Sequence, residues 1–184
     1  MGFILHFFLI LAWVFVLIVV HESGHYLAGL VGGIPARDMR LVLFAFPQHV
    51  AVRDGDEWVS PVRDIRRYIE ITRRHLSTRA AAFRWVAGGM ALELAFTAVL
   101  WGAAMAAGYR GVGFWAAGVS LAMYAVNVAL MDLPWALRYR CAVGDTSGLW
   151  QIAPVPAVIF SAVMVTSRAL LVVLSAEPFS GPAD

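Results

Sequence analysis

Five consecutive residues, His21-Glu22-Ser23-Gly24-His25, have the types and spacing to hold a metal ion and to activate water on it. In a helix, positions i and i+4 share a face, so the two imidazoles can bind one ion together. Glu22, next to the first of them, then lies where it can take a proton from a water on that ion. The same pattern also arises by chance, as two histidines and a glutamate at the wet end of an apolar helix. Ionisable groups are costly at membrane depth, however, and those found there are candidates for function.

The motif closes an apolar run from Phe3 to Val20 that is broken only by His6. As a helix this run is roughly 27 Å long, nearly the thickness of a hydrocarbon core. His21 and His25 then fall near one membrane face. His6 falls near the other, and reads as an interfacial histidine and not a ligand. The run is too long for a signal-peptide core, has no basic segment before it and no A-x-A site after it, so a retained span is expected.

Of the 184 residues 61% are hydrophobic and only 14% charged, against about 25% charged in soluble domains. The chain therefore reads as an all-α integral membrane protein with a single domain over residues 1–184. About four transmembrane helices are expected, over residues 3–30, 80–107, 112–131 and 154–176. A pI near 9.0 is set against a net charge of only +2, which favours a lipid bilayer over nucleic acid as the partner. The lone Cys141 excludes an internal disulfide and a cysteine-rich metal site.

Between the first two spans, residues 38–76 read as a small β-hairpin insertion followed by an amphipathic interfacial helix. Gly32, Gly33 and Pro35 end the first helix. Leu41–Phe46 is an apolar run of strand length, Val50 and Val52 alternate with Ala51 and Arg53, and Asp54-Gly55 signals a hairpin turn. His49, alone in this region, reads as structural. Ser60-Pro61 reads as the N-cap and first turn of the next helix. That helix has Val62, Ile65, Ile69 and Leu76 on one face and arginines on the rest, suiting either an anionic membrane surface or a solvated linker. Ser77 or Thr78 can cap the second span, which carries Glu93 deep enough that it should face the interior. Asn127 lies near the end of the third. A polar stretch follows from Asp132 to Gln151, then a span holding Arg168, which could snorkel to the nearer surface, and an acidic tail.

Arginine is the only strongly basic residue type present. Nine arginines lie between the first and second spans, from Arg37 to Arg79; Arg138 and Arg140 lie between the third and fourth; only Arg110 lies on the opposite side. By the positive-inside rule both termini face out and the arginine-rich segments face the cytoplasm. His21, His25, Asn127 and Asp145 then all approach the cytoplasmic face. A multi-pass location in a plasma membrane of prokaryotic type is expected.

A catalytic zinc site usually has three protein ligands and one open position. Asp145, in the glycine-flanked turn Gly144–Gly148 on the same side as His25, is the choice for the third; Asp132 is the runner-up. Four features together resemble the site-2 protease family of intramembrane zinc metalloproteases. They are H-E-x-x-H at the cytoplasmic end of an apolar helix, a β-containing segment after it, Ala87-Gly88-Gly89-Met90 early in the next span, and Asn127 followed by Gly144-Asp145. They cover roughly residues 1–150 in family order. The resemblance implies that His21, His25 and Asp145 bind Zn2+, that Glu22 is the base, and that Asn127 positions the backbone of a transmembrane protein substrate. The chain departs from the family's Asn-x-x-Pro with Asn127-Val128-Ala129-Leu130, and from its Asp-Gly with Asp145-Thr146.

Three other readings compete. One is a membrane zincin whose third ligand is Glu93. Another is a non-proteolytic metal-binding protein of the same fold, although binding alone needs no Glu22. The last is a small ion transporter, for which the absence of a visible repeat speaks poorly.

Overall fold

The computed structural model describes residues 2–140, 142 and 144–176. Cys141 and the acidic tail 177–184 lie outside the described residues. The order is α1 (Gly2–Gly32), a 3-10 turn (Ala36–Asp38), β1 (Met39–Val42), β2 (His49–Asp54), β3 (Glu57–Val59), α2 (Ile65–His75), α3 (Arg79–Ala106), α4 (Arg110–Val126), a π-helical segment (Asn127–Asp132), α5 (Leu133–Tyr139), α6 (Asp145–Ile152) and α7 (Pro154–Ala176). Four helices, over Ile4–Gly32, Arg79–Ala106, Arg110–Leu130 and Pro154–Ala176, are long and apolar enough to cross a membrane. Their outer faces leave side chains such as Phe8, Val99 and Val155 more than half exposed. An apolar surface of this kind is compatible with a multi-pass membrane protein.

Helices α1 and α3 pack backbone to backbone because both are stripped of side chains at their crossing. A Cβ on Gly88 would lie 2.6 Å from the Cβ of Ala28 and 2.7 Å from the carbonyl oxygen of Gly24, and one on Gly24 would run into the Gly88 carbonyl. Small residues four apart on α1 and a glycine on α3 are the usual means of close helix approach in lipid. Further along, Trp13 of α1 stacks on Phe96 of α3 at 6.0 Å between ring centroids and meets Trp115 of α4 at 5.8 Å.

The insertion is a three-stranded antiparallel meander, β1-β2-β3, and not the single hairpin expected from the sequence. The Asp54-Gly55 turn lies between β2 and β3, with Asp54 paired to Glu57 and Gly55 at a φ of 64°. The apolar run 41–46 gives only Leu41 and Val42 to β1; Phe44 and Phe46 project outward, 98% and 85% exposed. Helix α2 is capped by Asp64, whose side chain accepts the Arg67 amide at 3.0 Å. Ser60-Pro61 instead forms a preceding turn, with the Arg63 and Asp64 amides donating to the Ser60 carbonyl. Two arginines of α2 turn towards the sheet: Arg67 donates to Asp54 at 2.9 Å and to Glu57 at 2.8 Å, and Arg74 to Asp54 at 3.3 Å. Arg63, Arg66 and Arg73 stay exposed. Val50, Val52, Val59, Ile71, Leu76 and Trp85 bury the interface of sheet, α2 and α3.

Thr78 caps α3 by accepting the Ala81 amide at 3.1 Å. Gly108, with φ 78°, ends it in a tight turn into α4. Arg168 does not snorkel. It is fully buried on α7, where it donates to Glu93 of α3 at 2.5 Å and to Ser120 of α4 at 3.1 Å. Ser120 donates in turn to the other Glu93 oxygen at 2.6 Å, and the guanidinium lies over the Tyr124 ring at 4.7 Å. In a low-dielectric interior such charges are retained only when paired and hydrogen-bonded. The polar stretch that begins at Asp132 is largely helical, forming α5 and α6.

Candidate metal centre

The helical spacing of His21 and His25 puts both rings on the face of α1 that meets α3. Their Nε2 atoms are 3.1 Å apart. Asp145, the first residue of α6, places Oδ2 2.8 Å from His21 Nε2 and 3.3 Å from His25 Nε2. Three ligand atoms thus form a triangle with edges near 3 Å. Tetrahedral zinc with bonds of about 2.0–2.1 Å would set its ligand atoms about 3.3 Å apart. Two imidazoles and a carboxylate are a donor set suited to that ion. The residues present fit the group.

Two neighbours prepare the triangle. His25 Nδ1 donates to the Trp85 carbonyl at 2.9 Å, which puts the proton on Nδ1 and leaves the Nε2 lone pair facing the site. Gly89 lies against both rings: a Cβ there would sit 2.5 Å from His25 Nε2 and 2.7 Å from His21 Nε2. The space in front of the donor atoms therefore exists because α3 carries no side chain at that position. Burial disfavours ionisation of Asp145, but the imidazoles of His25 and His21 outweigh it and hold the carboxyl below the usual carboxylate range.

Glu22 joins the cluster, with donor atoms of His21, Glu22 and His25 all within 4.8 Å of one another. The Val50 backbone on β2 is close enough to act on its carboxylate. Tyr68 of α2, whose ring is tilted against that of Trp85 at 5.9 Å between centroids, is also within electrostatic reach of Glu22 and Asp145. Burial pushes its phenol well above the ordinary range, and Glu22 and Asp145 add to the shift. The phenol is therefore a neutral hydrogen-bond donor.

Other residues singled out in the sequence fall elsewhere. Asn127 is exposed at the start of the π-helical segment, and among the described residues no hydrogen bond links it to the triangle. Asp132 is buried beside Gly144, with Oδ2 accepting the Ser147 amide at 2.9 Å. Glu93 is engaged by Arg168. His6 bonds the Gly2 carbonyl in the first turn of α1, and His49 the Pro47 carbonyl. Sequence reasoning missed the roles of Trp85, Gly89 and Tyr68. Only Gly89 left a signal, as half of a Gly-Gly pair inside an apolar helix.

The chain matches no family model, no curated protein and no solved structure. What the site can do rests on its geometry: the Glu22 carboxylate beside a candidate ligand set of two imidazoles and one carboxylate, with Gly89 of α3 packed against both rings.

Proposed function

We propose that the chain is an intramembrane zinc metalloprotease of the site-2 protease type, hydrolysing peptide bonds of membrane-embedded protein substrates. The observation that carries this reading is the triangle of His21 Nε2, His25 Nε2 and Asp145 Oδ2 with Glu22 adjoining it. His21, His25 and Asp145 hold the ion. Zinc in such a site lowers the pKa of water towards neutrality and polarises a carbonyl. Glu22 accepts the proton of the attacking water and delivers it to the leaving amine. Asn127 is assigned to the substrate backbone by family resemblance alone, and its exposed position keeps it free for that task.

A transmembrane helix hides its carbonyls, so cleavage needs an extended segment. The meander lies beside Glu22 through β2, and among the described residues no strand pairs with the outer edges of β1 and β3, which can take one. The arginine distribution supports a cytoplasmic site in a prokaryotic plasma membrane, with both termini outside.

The test is zinc content and cleavage of a candidate membrane substrate for the wild type, His21→Ala and Glu22→Gln. The wild type should hold about one zinc per chain and cut. His21→Ala should lose both, and Glu22→Gln should keep zinc and lose cleavage. Cleavage by Glu22→Gln at the wild-type rate would sink the mechanism.

A further inference from the structure

We propose that Asp132 is the N-cap of α6 supplied from outside that helix, and that it thereby holds Asp145 in register with the two imidazoles. The proposal rests on the metal-centre reading above. Helix α6 starts after Gly144, which has no side chain to accept the amides of the first turn. One half of a capping box is present: the Ser147 hydroxyl accepts the Gly144 amide at 3.2 Å. The other half, an acceptor for the Ser147 amide, comes from Asp132 Oδ2 at 2.9 Å. Ser147 is two residues beyond Asp145, so fixing its amide fixes the turn that presents the ligand.

Three further observations bear on this. Asp132 is 4% exposed, and among the described residues its Oδ1 has no hydrogen-bond partner. A carboxylate so buried is costly, and the positive end of a helix is a place that favours it. Gly144 has φ −133° and ψ −170°, extended backbone open to any residue. Yet a Cβ on it would lie 2.9 Å from Asp132 Cγ and 3.0 Å from Oδ2, so the glycine makes room for the carboxylate. Asp132 also ends the π-helical segment Asn127–Asp132. The wider turn shifts the helical register of residues beyond α4 and sets the direction of Asp132.

A positioning residue of this kind should be replaceable by a local cap. Zinc affinity of the full-length protein in detergent is measured by chelator competition, and ligand geometry by the visible absorption of the cobalt(II) form. Asp132→Ala should bind zinc about 10–100-fold more weakly, with an altered cobalt spectrum. Asp132→Asn keeps an acceptor oxygen, and should stay within about threefold of the wild type. Gly144→Ser alone should weaken zinc, because its Cβ meets Asp132. Added to Asp132→Ala it should restore most of the affinity, since its hydroxyl can cap the Ser147 amide in the space vacated.

The proposal is overturned if Asp132→Ala leaves affinity and spectrum unchanged, if Asp132→Asn loses as much as Asp132→Ala, or if Gly144→Ser fails to rescue. If the wild type binds no zinc, the metal-centre reading fails by itself. The cap is then tested by amide hydrogen exchange: Asp132→Ala should speed exchange at Ser147, and unchanged exchange there would overturn it.

Discussion

Arg168 on α7 and Glu93 on α3 meet at 2.5 Å with neither side chain reaching the surface. Ser120 bridges them from α4, so one polar cluster ties three helices together. Removing one partner strands the other charge in a low-dielectric interior. Arg168→Leu or Glu93→Leu should therefore cost about 3–5 kcal/mol, while the double substitution should cost less than the sum. Unfolding by SDS titration in mixed micelles measures this. Additive losses would mean that the two side chains act independently.

Gly89→Ala should empty the metal site without dissolving the fold. Its Cβ would occupy space within 2.7 Å of both imidazole Nε2 atoms. Zinc affinity should fall by about 100-fold or more, with the circular dichroism spectrum retained. Full zinc occupancy in this variant would show that the ion sits elsewhere.

Asp145→Asn should deplete zinc far more than Asp132→Asn. The first removes the only charge among the three proposed ligands, whereas the second exchanges one capping acceptor for another. Metal analysis after gel filtration decides the matter. A reversed order would transfer the ligand role to Asp132.

In intact cells, a cysteine placed at Tyr109 should react with a membrane-impermeant reagent, and one at Ser77 should be protected, both in a Cys141→Ser background. Tyr109 is 67% exposed in the turn between α3 and α4, on the side that carries only Arg110. Ser77 is exposed on the arginine-rich side. Labelling of the second and not the first would invert the orientation.

Much of the scaffold was legible in the sequence because it is written locally. Apolar runs of span length mark α1, α3, α4 and α7, and the i, i+4 spacing alone puts His21 and His25 on one face. Features that depend on partners distant in sequence were not legible. Helix α6 is only 8 residues long, too short to be stable from its own propensity. Its first turn meets a carboxylate 15 residues upstream of the Ser147 amide, and its Leu149 is buried. The Arg168–Glu93 pair spans 75 residues, and nothing in either neighbourhood announces it. Strand β3 has just three residues, below what alternation can reveal. The α2 cap was misplaced because Ser60-Pro61 and Asp64 are both competent N-caps, and tertiary packing chose the second.

His21 and Asp145 are separated by 124 residues, and α6 follows α1, the strands, α2 and α3, the other elements around the site. A chain emerging N-terminus first therefore carries an incomplete set of the proposed ligands until α6 has been made. It can seat an ion firmly only once the helix bearing Asp145 has docked on α3. In the proposed enzyme the geometry of the ligands would order maturation: the ion would be held only after the helices have assembled, and a chain that has not finished folding would have no competent centre with which to cut its neighbours.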